Sequence, residues 1–110
     1  METKHAVAAL SALAHDTRLR AFRLLVEQGP PGLPAGEIAE RLSVSPPTLS
    51  SHLAQLERAG LAHSWRVERR IFYAVEVEGT RRLLRYLTED CCEGQPELCG
   101  DLLAAGTVCK

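Results

Sequence analysis

The sequence predicts a mainly α-helical fold with one two-stranded β-hairpin. Apolar residues recur at the three- and four-residue spacing of amphipathic helices as far as residue 59, and residues 61–75 then take the spacing and composition of two strands. Helical spacing returns in a last helix from about residue 78 to 90. A chain of 110 residues that is 45% hydrophobic, with 13 basic and 14 acidic residues, supports one modest core and excludes a disordered chain.

The first two helices are marked by apolar spacing and by the break that follows them. Val7 and Leu10 belong to the first helix, and a second apolar run marks one face of the next. Asp16 or Thr17 is placed to cap the second helix, and the Gly29-Pro30-Pro31-Gly32 segment must end it.

Two helices separated by a tight polar break come next. Glu37–Leu42 predicts a two-turn helix, and Ser45–Ala59 predicts a longer one that Gly60 ends. Ser45 is a favourable N-cap. The two prolines after it are tolerated, because backbone N–H groups in a first helical turn have no partner within the helix.

A basic hairpin follows the longer helix. Leu61–Arg66 and Ile71–Val75 predict two antiparallel strands, and Arg69 and Arg70 lie in the turn between them. The order helix, helix, short helix, break, capped helix, hairpin and helix is that of a winged helix-turn-helix, in which the hairpin is a two-stranded β wing.

The net charge of −1 is distributed unevenly along the chain. Residues 58–85 hold seven arginines against three glutamates, whereas residues 89–110 hold five acidic residues against one lysine. A basic middle is typical of a nucleic-acid contact, and the acidic tail indicates a separate role.

The Ser45–Ala59 helix is predicted to turn its apolar face to the core and its polar side chains to DNA. Short polar residues near a helix start can approach base edges in the major groove, and arginines at the wing tip can reach phosphates or the minor groove. The candidate DNA-binding residues are Thr48, Ser50, Ser51, His52, Gln55, Arg69 and Arg70. For His52, partly buried packing is an equal alternative to DNA contact.

Four motifs resemble the ArsR family of metal-sensing repressors, over residues 5–90. They are LAHDTRLR at 13–20, EIAERL at 37–42, SPPTLSSHL at 45–53 and AGL at 59–61. The resemblance implies a cytoplasmic homodimer, paired through its first and last helices, that represses an operon until an inducer binds. It places Ser50, Ser51, His52 and Gln55 on the DNA face, with backbone contacts from Arg69 and Arg70.

The sequence departs from the family at its familiar metal sites. Residues 33–42 hold no cysteine where one family site has a cysteine cluster, and no histidine follows His63 where another family site uses the last helix. Ser43 also stands in the turn where a glycine is usual. An inducer site is therefore expected elsewhere.

All four cysteines lie in the last 20 residues, at Cys91, Cys92, Cys99 and Cys109. Cys91 and Cys92 are neighbours in sequence, and neighbouring Cα atoms are about 3.8 Å apart, which is too close for an unstrained disulfide. The paired C-x-x-C motifs of many zinc sites are missing. Three thiolates suit a soft ion such as three-coordinate trivalent arsenic. The arrangement is similar to that of arsenite-sensing ArsR relatives, which implies Cys91, Cys92 and Cys99 as ligands and leaves Cys109 outside the site.

Other functions of the tail stay open. Trivalent antimony suits the same thiolates, and the neighbouring Asp90 and Glu93 favour a cadmium, lead or zinc sensor. A thiol redox sensor and a winged helix that contacts only proteins are further alternatives. An enzyme, such as a small arsenate reductase, is not expected, because the sequence has neither a C-x-x-C motif nor the anion-binding loop of such chemistry.

The sequence therefore predicts an arsenite-responsive transcriptional repressor that binds a palindromic operator as a homodimer and leaves it when trivalent arsenic binds. Residues 1–90 would form the DNA-binding and dimerisation domain, and residues 91–110 the inducer-binding tail. The predicted dimer interface consists of Val7, Leu10, Leu83, Leu84 and Leu87. No membrane partner is expected, since the longest apolar run, Ala6–Ala14, is half of the roughly 20 residues that a span needs.

Overall fold

Five helices and a small antiparallel sheet make up the computed structural model, which describes residues 1–88. The helices are α1 (Thr3–Leu13), α2 (Asp16–Gln28), α3 (Ala35–Leu42), α4 (Pro46–Arg58) and α5 (Val77–Thr88). The strands are β1 (Leu33–Pro34), β2 (Ala62–Val67) and β3 (Arg70–Val75). The predicted winged helix-turn-helix is confirmed, with β2 and β3 as the wing.

Strand β1 is an element that the sequence did not predict. It pairs antiparallel with β3, with Leu33 opposite Tyr73 and Pro34 opposite Phe72, so the strand order is β1-β3-β2. Gly32 permits this contact, because its φ is +69° and a Cβ there would overlap the carbonyl oxygen of Tyr73. The wing is therefore the outer part of a three-stranded sheet that is tied to the segment before α3.

The cap of α2 differs from the prediction. The N-cap residue is His15, whose Nδ1 accepts a hydrogen bond from the backbone N–H of Thr17 at 3.1 Å. Asp16 is the first residue of the helix, where its carboxylate lies near the positive end of the helix dipole.

The core lies between the helices and the sheet. The largest fully buried side chains are those of Leu25, Ile38, Leu49, Leu53, Leu56 and Leu61. Three of the six belong to α4 at the spacing that the sequence predicted. Because burying one leucine side chain contributes about 1.5–3 kcal/mol, these three residues fix which face of α4 turns inward.

Helix α5 packs against the end of α4 and along α1. A Cβ at Gly79 would overlap the carbonyl oxygen of Gly60, so the two backbones meet directly. Further along α5, the hydroxyl groups of Thr3 and Tyr86 share a hydrogen bond that joins α5 to α1.

The residues predicted for the dimer interface fall into two groups. Val7 and Leu10 of α1, with Leu84 and Leu87 of α5, are between 42% and 58% exposed. Leu83 is 4% exposed and packs in the core of its own chain, so its predicted place in the interface is corrected to a place in the core. Consecutive helical residues point about 100° apart, and the neighbouring Leu83 and Leu84 therefore face different surroundings.

Within residues 1–88, none of the helices has both the length and the apolar character that a bilayer crossing requires.

Candidate nucleic-acid interface

The turn between α3 and α4 closes on a residue in the left-handed conformation. Ser43 has φ 57° and ψ 46°, and the N–H of Val44 donates to the carbonyl of Ala39 at 3.0 Å, which is the bonding of a Schellman motif. Glycine adopts this conformation at lower cost than serine. The backbone hydrogen bonds hold the turn although no glycine is present, and they fix the point at which α4 begins.

The first turn of α4 has fewer backbone donors than an ordinary helix start. Ser45 occupies the N-cap position, as predicted, but its hydroxyl donates to Oγ1 of Thr48 at 2.9 Å and caps no backbone N–H. Pro46 and Pro47 have no N–H, so two of the four backbone N–H groups that lack a partner at a helix start do not exist here. Side-chain hydroxyls are therefore the main hydrogen-bonding groups at this end of the helix.

Three predicted DNA-binding residues are brought together at this helix start. Thr48, Ser50 and Ser51 are exposed, whereas Leu49 and Leu53 on the opposite face are buried. Hydroxyl groups both donate and accept hydrogen bonds, and the positive end of the helix dipole favours a nearby phosphate. Hydroxyls on an exposed helix start thus provide hydrogen-bonding chemistry that contacts with base edges and phosphates use.

His52 and Gln55, further along α4, are partly covered by other helices. The Nδ1 atom of His52 accepts a hydrogen bond from Nη1 of Arg18 at 3.2 Å, and the imidazole rings of His52 and His15 have centroids 4.5 Å apart. Burial, and then the charges of His15 and Arg18, lower the pKa of His52 from its ordinary value. Gln55 borders a shallow cleft against α1, beside Ser11.

The wing is stiffened by aromatic packing. Trp65 and Phe72 are opposite each other on β2 and β3, with ring centroids 5.7 Å apart and an interplanar angle of 19°. The guanidinium of Arg70 lies 5.4 Å from the centroid of the Phe72 ring, within reach of a cation–π interaction. At the tip, Glu68 has φ 57° and Arg69 is exposed. Arg69 therefore extends from the tip while Arg70 lies back over the sheet.

Arg70 and the start of α4 border one open groove. The groove runs between α3, the turn and the beginning of β3, with Arg70 on one side and Ser45 and Pro46 on another. Glu37 and Arg41 of α3 also border it and form an ion pair at 2.6 Å. One residue of the wing and the first residues of the helix start thus border the same groove.

The described part of the chain is net basic. Lys110 and five of the 14 acidic residues lie beyond residue 88, so residues 1–88 hold twelve Lys or Arg against nine Asp or Glu. Arg66, Arg69 and Arg70 are exposed on the wing. This distribution suits a polyanion such as the DNA backbone.

The predicted inducer ligands Cys91, Cys92 and Cys99 lie outside the described residues. Among residues 1–88, no three His, Cys, Asp or Glu side chains are grouped so that they could hold a metal ion.

Comparison with known proteins identifies the family. A family profile described as a helix-turn-helix domain matches residues 13–64. The HTH-type transcriptional regulator YgaV of Escherichia coli K12 is 33% identical over 89 residues, which are 81% of this chain and 88% of YgaV. The ArsR-like transcriptional regulator from Rhodococcus sp. RHA1 has the same fold, with a TM-score of 0.70 and 26% identity over 94% of this chain and 95% of that one. The chain belongs to the ArsR-like winged helix-turn-helix transcriptional regulators.

The fold of this regulator is also that of Mb0332 from Mycobacterium bovis. That protein has a homodimeric winged helix-turn-helix DNA-binding domain, which matches with a TM-score of 0.64 and 24% identity over 79% of this chain and 81% of that one.

Proposed function

We propose that the regulator is an arsenite-responsive repressor that binds a palindromic operator as a homodimer and is released when trivalent arsenic binds Cys91, Cys92 and Cys99. The exposed hydroxyls at the start of α4 carry the DNA-binding part of the proposal, together with the groove that Ser45 and Pro46 share with Arg70 of the wing. In a dimer, two such helices would enter successive major grooves about 34 Å apart. The three thiols support the inducer part, since soft sulfur ligands select thiophilic ions.

Exposed apolar side chains on two adjacent helices support the homodimer. About half of each side chain is exposed for Val7 and Leu10 on α1 and for Leu84 and Leu87 on α5. A second copy that covered these side chains would be stabilised by about 25 cal/mol for each Å² of apolar surface removed from water. We expect Leu87→Glu to be mainly monomeric in sedimentation at micromolar concentration, with Leu87→Met as the dimeric control. A Leu87→Glu dimer as stable as the wild type would place the interface elsewhere.

The inducer would act through linkage between two sites. The tail follows α5, so a ligand there acts at the end of a proposed dimer helix. It would change the preferred separation of the two recognition helices, which are the α4 helices of the two protomers. By reciprocity, operator DNA weakens arsenite binding by the same factor by which arsenite weakens operator binding. Such coupling free energies are typically about 1–3 kcal/mol.

Fluorescence anisotropy tests the proposal most directly. The fully reduced protein is bound to labelled DNA from upstream of its own gene and titrated separately with arsenite, antimonite, cadmium, lead and zinc. We expect release by the trivalent ions alone. Cys91→Ser, Cys92→Ser and Cys99→Ser should bind DNA without being released, and Cys109→Ser is the matched control that is released. Unaltered release of the first three variants would refute the three-thiolate site.

A dication sensor is the second candidate, because Asp90 and Glu93 provide carboxylates beside the cysteines. Release by cadmium, lead or zinc that is weakened in Glu93→Gln would support it. Release by peroxide without any ion would indicate a thiol redox sensor. Failure to bind DNA at any salt concentration would favour a winged helix that contacts proteins.

A further inference from the structure

One arginine side chain joins three helices next to the proposed DNA surface. Nε of Arg18, on α2, donates to the carbonyl oxygen of Ala12 in α1 at 2.6 Å. Nη1 of the same guanidinium lies 3.2 Å from Nδ1 of His52 in α4, and both hydrogen bonds are partly buried. The middle of the recognition helix is therefore held to α1 and α2 through Arg18.

The chemistry of this junction requires a neutral His52. A guanidinium has donors but no acceptor and keeps its proton in proteins, so Nδ1 of His52 must accept and its proton must be on Nε2. His15 is constrained in the same way, because its Nδ1 accepts the N–H of Thr17 at 3.1 Å. A second proton on either ring would occupy the nitrogen that already accepts a hydrogen bond.

The surroundings of His52 provide no compensation for a positive charge. Within residues 1–88, the charged or titratable groups that act on it are His15, at the start of α2, and Arg18, and both disfavour the imidazolium. From α1, the junction receives only the carbonyl of Ala12, through Arg18. The carboxylate of Asp16 is turned toward Arg20, at 3.7 Å, with 83% of its side chain exposed.

We infer that Arg18 and His15 are positioning residues that hold α4 in its DNA-binding orientation only while His52 is neutral, so that the affinity of the regulator for DNA falls in mild acid. The inference rests on the DNA-binding part of the proposed function and concerns neither the cysteines nor arsenite. Protonation of His52 removes its bond to Arg18 and places two or three cations together, with the rings of His15 and His52 only 4.5 Å apart. The middle of α4 then loses its hydrogen-bonded link to α1 and α2, and only the packing of its leucines still orients it.

Operator binding measured from about pH 8 to about pH 5.5 at constant ionic strength tests the inference. We expect the wild-type affinity to fall by up to about tenfold, the effect of a one-unit difference in histidine pKa between free and bound protein. His52→Gln has an amide oxygen that can accept from Arg18 and has no ring to protonate, so its affinity, whatever its value at about pH 8, should show a flat profile. His63→Gln is the matched control, because His63 lies on β2 and is paired with Glu76 at 2.9 Å, away from the Arg18 junction, and it should keep the wild-type profile.

Two results of this titration would overturn the inference. One is a wild-type affinity that is constant or rises toward acid, and the other is an equal fall in the wild type and in His52→Gln. If the protein binds no DNA at about pH 8, the proposed function fails, and nitrogen NMR of the imidazoles then tests the junction alone. We expect the Nε2–H tautomer for His52 and a higher titration midpoint in Arg18→Gln. The Nδ1–H tautomer, or an unchanged midpoint, would refute the junction.

Discussion

The two halves of α4 belong to one continuous helix but have different surroundings. Up to Ser51, the polar side chains are exposed and face no neighbouring element. From His52 onward, two polar side chains are held by other elements, since His52 bonds to Arg18 of α2 and Glu57 accepts a hydrogen bond from Ser64 of β2 at 3.0 Å. His52 and Glu57 thus already have partners in other elements, whereas the exposed hydroxyls at the start of α4 are the side chains that we propose to contact DNA.

Removal of a buried leucine should have the largest effect on stability. Leu53 is fully buried, so Leu53→Ala leaves a cavity and should lower the free energy of unfolding by about 2–5 kcal/mol. Ser51→Ala, two residues away on the exposed half, should change it by less than about 0.5 kcal/mol. Urea unfolding followed by circular dichroism at a fixed protein concentration compares them, and similar midpoints would contradict the assignment of faces.

The wing should add phosphate contacts that do not depend on the DNA sequence to the contacts made by the exposed half of α4. Arg69→Ala should weaken binding to operator and to random DNA alike, since a phosphate contact carries no base information. With one wing on each protomer, the slope of log affinity against log salt should become shallower by about 2. A loss confined to the operator would instead indicate that Arg69 contacts bases.

Ser51→Ala should act on specificity. If the Ser51 hydroxyl contacts a base edge, its loss should weaken operator binding by about 0.5–1.5 kcal/mol and leave random DNA nearly unchanged. The ratio of the two affinities is the quantity to measure. An unchanged ratio would remove Ser51 from the base-contacting set.

The held half of α4 should make stability depend on pH. The pKa of His52 in the folded chain is lowered from 6.5, so below about pH 6.5 the unfolded chain binds a proton that the folded chain lacks. The contribution of His52 to stability is therefore present above about pH 6.5 and is lost as the pH falls through 6.5 toward the folded pKa. Urea unfolding at two pH values should show a smaller loss in acid for His52→Gln than for the wild type.

The smallest effect is expected at the turn before α4. Ser43→Gly should raise the free energy of unfolding by up to about 1 kcal/mol, because glycine tolerates a φ of 57° but loses more conformational freedom on folding. Thermal unfolding measures it, with Ser43→Ala as the control that gains nothing. A destabilised Ser43→Gly would mean that the serine side chain supports the turn.

The sequence predicted elements whose signal is local. The core face of α4 followed from the spacing of Leu49, Leu53 and Leu56, and the start of the helix followed from Ser45 and the prolines after it. These features depend on neighbours within one or two helical turns. They were therefore predictable before any tertiary contact was known.

The features that the sequence did not predict depend on distant contacts. β1 has only two residues and exists because Leu33 and Pro34 pair with β3, about forty residues later. Partial burial of His52 was one of two alternatives, but its partner Arg18, 34 residues earlier in the chain, was not predictable. Leu83 and Leu84 are equally apolar, and only the packing of α5 decides which of them is buried.

The contact between Gly79 and Gly60 has a mechanical consequence. Side chains usually separate packed helices and can change rotamer when one helix tilts, which absorbs part of the movement. Here two backbones touch with no side chain between them, because neither glycine has one. A tilt at the start of α5 is therefore passed directly to the backbone at the end of α4, because no side chain lies between them to change rotamer.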